Sequence, residues 1–131
     1  MPDCEAYVTV STYGAADVVR VGARVQNAGA NDSGYYVAVN ATGAWLIIRI
    51  DSGSAVTLLT GPTRPLANGD KVAIRIVGAV VTGLHYTAAN GWQQVLSYDT
   101  SGNTTRYTTA GKLALEFKTS TVDDFGGGTL P

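Results

Sequence analysis

Few groups in this chain are able to make or break bonds. Glycoside hydrolysis needs two carboxyl groups about 5–9 Å apart, one protonated and one ionised. The glutamates are Glu5 and Glu116, and their surroundings form no such pattern. Asp123 and Asp124 are adjacent in a strand-like stretch, which sends them to opposite faces. His85 is the single histidine. Ser/His/Asp catalysis would place it in a cleft beside a nucleophile, whereas it falls mid-strand with Val81 and Gly83, a structural or surface position. Cys4 is alone, so neither an internal disulfide nor a cysteine-based zinc site can form. It reads as a small buried residue at the head of a strand. The chain is therefore read as non-enzymatic.

Binding chemistry is better represented. Sugar rings lay their apolar faces on exposed Trp and Tyr while polar groups fix orientation. Trp92 follows the turn Asn90-Gly91, and Tyr35, Tyr36, Tyr86 and Tyr98 are candidates to share a sheet face with it. Trp45 belongs instead to Trp45-Leu46-Ile47-Ile48, the most continuously apolar run, and reads as core.

The elements that must position these residues are strands. Lys71–Asp99 is three runs of period-two alternation cut at Gly78-Ala79 and Asn90-Gly91. Alternation marks strands with one buried face, and Asn-Gly suits a tight hairpin turn. This predicts an antiparallel meander with Val72, Ile74 and Ile76 inward. In its third run, Trp92, Gln94, Leu96 and Tyr98 are expected on one face. Further strands are predicted at 5–12, 17–26, 35–40, 44–50, 56–60, 112–117 and 121–125. The stretch 61–68 contains Pro62 and Pro65 and is expected as loop. Gly126-Gly127-Gly128 reads as a flexible tail. Val19, Val21, Ala23 and Val25 are expected to share a face.

Strands recurring roughly every 8–12 residues with turn signals between them indicate a sandwich or barrel. No apolar stripe of helical period is sustained. The predicted fold is all-β: an antiparallel two-sheet jelly-roll sandwich of about ten strands with essentially no helix. Residues 1–125 form a single domain and 126–131 the tail. Apolar residues make up 45% of the 131 and charged ones 15%, which excludes a disordered chain. The net charge of −1, without a basic patch, argues against nucleic acid or anionic membrane as partners. No apolar run reaches the roughly 18 residues of a spanning helix, and Met1-Pro2-Asp3-Cys4 does not resemble a signal peptide.

Several segments together carry a resemblance. They are Asp3-Cys4-Glu5-Ala6-Tyr7, Tyr35-Tyr36 before a turn, and Gly43-Ala44-Trp45 leading to Leu46 and Arg49. With them stand Leu66-Ala67-Asn68-Gly69-Asp70, the Asn90-Gly91 hairpin, and Val122-Asp123-Asp124-Phe125 before the glycines. The order and spacing of these segments resemble the concanavalin A-like (laminin-G-like) jelly roll of minor tail proteins from actinobacteriophages. The resemblance implies a virion tail location and a non-enzymatic accessory or receptor-facing domain that binds cell-surface glycan. An alternative it leaves open is a structural assembly module docking on other tail subunits or on itself. A glycan hydrolase is disfavoured, because laminarinase-like enzymes of this fold carry Glu-x-Asp-x-x-Glu on one strand and this chain has no such motif. Relatives of this fold often hold a structural calcium near the closing strand, and Asp123 is the matching position. The remaining ligands would come from an N-terminal segment that family members carry and this chain lacks. That difference also implies an open sheet edge able to pair with another chain.

Overall fold

The computed structural model describes residues 3–14, 17–26, 32–117 and 120–130. Among them are ten strands: β1 (Cys4–Thr12), β2 (Val19–Gln26), β3 (Ser33–Val39), β4 (Ala44–Asp51), β5 (Ser54–Thr63), β6 (Lys71–Val77), β7 (Val80–Thr87), β8 (Gly91–Asp99), β9 (Lys112–Glu116) and β10 (Thr121–Thr129). Among the described residues helical structure is confined to one 3-10 turn at Thr100–Gly102. The strands form two antiparallel five-stranded sheets, ordered β10-β1-β6-β7-β8 and β5-β4-β3-β2-β9. This is the all-β two-sheet sandwich expected from the alternation.

The inward residues of both sheets make the core. Ala6, Val8 and Val10 of β1, Val72, Ile74 and Ile76 of β6, and Val81 of β7 face Val19, Val21, Val37, Val39, Trp45 and Ile47 of the other sheet. Each buried Val or Ile side chain among them contributes about 1.5–3 kcal/mol. Trp45 is fully buried, and its indole Nε1 donates to the Arg64 carbonyl at 2.9 Å, so the one polar atom of the ring is satisfied. His85 lies beside it, ring centroids 5.1 Å apart, with Nε2 2.8 Å from Asp70 Oδ2. The same carboxylate oxygen accepts from Ala67 N at 3.0 Å. His85 thus ties the turn before β6 to the core.

Four details depart from the sequence reading. Pro62 lies inside β5 rather than in a loop. β5 is the edge of its sheet, where a residue without an N–H removes no ladder bond. The expected tail is strand as far as Thr129, with Gly126 opposite Tyr7, Gly127 opposite Ala6 and Gly128 opposite Glu5. Glycine is required there by close approach: a Cβ on Gly126 would stand 2.8 Å from Tyr7 Oη, and one on Gly127, whose φ is +147°, would meet the Glu5 carbonyl. Two β-bulges also break the predicted alternation. Arg24 adopts φ 54° where the β2–β3 register shifts, so Val25 leaves the inter-sheet core for a cluster with Tyr36, Ala38, Ile48 and Ile50. In β8, Gly83 pairs with Leu96 but Leu84 pairs with Gln94, leaving Val95 as the extra residue. Leu96 therefore turns inward with Tyr98, while Trp92 and Gln94 stay outward. The loop expected at 27–34 lies partly outside the described residues, at 27–31.

Candidate functional site

The outer face of the β10-β1-β6-β7-β8 sheet is assembled in rows by its register. One row runs Thr9, Lys71, Tyr86, Trp92; the next Tyr7, Ala73, Leu84, Gln94; the third Glu5, Arg75, Thr82, Ser97. Small Ala73 sits at the centre, with Lys71 and Arg75 two residues away on either side along β6. Long side chains around a short one leave a depression of about 390 Å³, lined by Glu5, Tyr7, Lys71, Ala73, Arg75, Leu84 and Trp92.

Trp92 is 47% exposed. It stands on β8, the edge strand, directly after Gly91, whose φ of 66° closes the hairpin. Tyr86 packs beside it, centroids 5.5 Å apart and planes at 59°. Lys71 Nζ lies 5.2 Å from the Tyr86 ring centroid, a cation–π placement. Across the depression, Arg75 donates from Nε (3.2 Å) and Nη2 (2.9 Å) to Glu5 Oε2. Both partners are well solvated, so this pair contributes about 0–1 kcal/mol of stability and mainly holds its two side chains upright. The result is an aromatic wall on one side, a charged wall on the other and an apolar floor.

The structure brings two of the five proposed stacking residues together, Trp92 and Tyr86. The other three lie elsewhere. Tyr35 is buried in the inter-sheet core, with its hydroxyl accepting from Tyr107 N at 3.1 Å. Tyr98 is partly buried against that core and donates to Asn103 Oδ1, because the Val95 bulge separates its face from that of Trp92. Tyr36 is buried on the outer face of the second sheet, where its hydroxyl donates to Asp32 Oδ2 at 2.5 Å. Burial first, then that carboxylate, raises its phenol far above the usual value. Asp123 is exposed on β10, and its Oδ1 accepts from Asp124 N at 2.8 Å. Among the described residues no group of three or more His, Cys, Asp or Glu converges. Glu5 and Glu116 point outward from opposite sheets, Glu5 to Arg75 and Glu116 to Arg20, so they do not face each other across any groove.

The sequence does not single out Glu5, Tyr7, Lys71 or Arg75 as binding residues. Their outward alternation was visible, but nothing local says that β1 lies against β6. That pairing joins residues more than sixty positions apart.

No family model matches the chain, and no curated protein does. Solved structures do. A carbohydrate binding module, CBM66 from Bacillus subtilis, superposes with a TM-score of 0.67 at 12% identity, covering 96% of this chain and 73% of that one. A protein of unknown function from Saccharomyces cerevisiae gives 0.50 at 8% identity, covering 98% and 69%. A xylan beta-1,4-xylosidase from Bacillus halodurans gives 0.45 at 14%, covering 93% of this chain and 24% of its own. At these identities the first two likenesses speak to the β-sandwich fold.

Proposed function

We propose that the chain is a non-catalytic carbohydrate-binding domain, and that its binding face is the outer surface of the β10-β1-β6-β7-β8 sheet. The observation that carries this reading is the exposed Trp92 beside the Ala73 depression. An exposed indole offers a flat apolar plate to a sugar ring, and the adjoining Glu5, Tyr7, Lys71, Arg75 and Gln94 supply donors and acceptors for its hydroxyls. The depression lies on the outer surface of one sheet, where each contact stays weak and affinity would come from several copies acting together. The fold shared with a carbohydrate binding module supports the reading. A receptor-facing place on a virion tail is the finer form of the proposal, and it rests on the residue resemblance alone. A structural calcium at Asp123 has the same standing.

The test is a glycan array probed with the purified chain, repeated with Trp92→Ala. Signals on a defined glycan class that vanish with the variant support the reading. An array silent for the unaltered chain contradicts it.

A second reading has its own observation. β10 is a sheet edge with no strand beyond it among the described residues, and Phe125 on it is 43% exposed. Unpaired edges accept further strands. In this reading the domain docks on a copy of itself or on another subunit through β10. Sedimentation showing a dimer that Phe125→Asp disperses supports edge docking, and a monomer at high concentration removes docking on a copy of itself.

A further inference from the structure

From the charge arrangement around the Ala73 depression, we infer that the preferred ligand is an acidic sugar, one whose carboxylate is received by Lys71 while its ring lies on Trp92. This deepens the glycan-binding reading of the same face and rests on it.

The inference starts from which charges are already matched. Among the described residues the ion pairs are Arg20–Glu116, Arg49–Asp51, Arg75–Glu5 and His85–Asp70. Arg75 is therefore offset within the depression by Glu5. Lys71 has no carboxylate partner in that set. The nearest carboxylate along its row is Asp123, which reaches Lys71 only through Thr9, paired with both. Two inter-strand steps put their backbones about 9–10 Å apart, and the two side chains form no ion pair. Of the charged residues that line the depression, Glu5, Lys71 and Arg75, only Lys71 is left without an ion-pair partner among the described residues.

Position adds to charge. Lys71 is not loose on the surface, since its ammonium lies over the Tyr86 ring. Tyr86 separates it from Trp92 in the same row, so ammonium and indole are fixed on either side of one aromatic spacer. A ring seated on Trp92 extends over Tyr86, and a substituent at its far side meets Nζ. A neutral hydroxyl there would accept a hydrogen bond from Lys71. A carboxylate would gain a charge-assisted one, roughly twice as strong.

The test compares matched ligands by titration calorimetry. Oligouronides or sialylated glycans that score on the array are measured beside the same compounds with the carboxyl group reduced to the alcohol. The acid form is expected to bind about tenfold more tightly than the reduced form. The preference should shrink as salt rises from about 50 to about 500 mM. Lys71→Met should abolish the preference while retaining the weaker binding of the neutral form, and Lys71→Arg should keep it. Thermal unfolding of each variant shows that it is folded. Equal binding of acid and reduced forms, or a preference that survives Lys71→Met, overturns the acidic-sugar inference and leaves glycan binding standing. No binding of either form, with an array silent for all glycans, overturns both.

Discussion

Each sheet carries an aromatic residue on its outer face, yet Trp92 is 47% exposed and Tyr36 only 2%. The difference follows from place in the sheet. Trp92 stands on β8, an edge strand, with a neighbour on one side only. Tyr36 stands on β3, the middle strand, between Gly22 of β2 and Ile48 of β4. Gly22 has no side chain, and the Tyr36 ring lies down over it: a Cβ there would be 2.5 Å from the ring. Ile48, Ile50, Ala38 and Val25 pack around it. One aromatic is a structural plug and the other is a surface plate. Residue type alone does not separate them; neighbours and strand order do.

The comparison can be broken deliberately. Tyr36→Ala removes the plug and should lower stability by about 3–5 kcal/mol, read by denaturant unfolding. An effect below about 1 kcal/mol would mean that the ring is not packed as described. Gly22→Val forces a side chain into the space the ring occupies and should destabilise by about 1–3 kcal/mol. Trp92→Ala reverses the pattern. It should shift stability by no more than about 0.5 kcal/mol, yet weaken glycan binding by about tenfold or more, as the loss of a central aromatic contact does.

The smallest effect concerns pH. Tyr36→Phe removes the hydrogen bond to Asp32 and should cost about 1 kcal/mol at neutral pH. It should also change the alkaline limb. Because the folded protein holds this phenol above its usual value, its contribution is complete below about pH 10 and is lost as pH rises further. Tyr36→Phe should therefore flatten the fall in stability above that point without abolishing it. Tyr13 and Tyr107 are also raised, chiefly by burial. An unchanged alkaline slope would contradict the assignment.

How much of this was legible beforehand differs between fold and site. The strands of Lys71–Asp99 were readable because each run alternates cleanly and Asn90-Gly91 marks its turn. Trp45 was readable as core from its unbroken apolar run. The bulges were not. Val95 adds one residue to β8 and turns Tyr98 away from Trp92, and no local residue type announces it. Gly126 and Gly127 of β10 look like linker composition, but their reason lies in Tyr7 and Glu5 across the pairing. The depression was illegible for the same cause. Ala73 becomes a floor only once Tyr7, Leu84, Lys71 and Arg75 surround it, and two of those reach it from other strands.

The most direct measurement is a two-dimensional NMR titration of the nitrogen-15-labelled chain with a glycan that scores on the array. The two indole N–H signals make it decisive, since Trp92 is exposed and Trp45 is fully buried with its N–H bound to Arg64. The account predicts that the Trp92 indole and the amides of Lys71, Ala73 and Arg75 move together and saturably, while the Trp45 indole and the amides around Tyr36 stay still. Shifts centred on Tyr36 and Asp32, or a Trp92 indole that does not respond to a bound glycan, would contradict it.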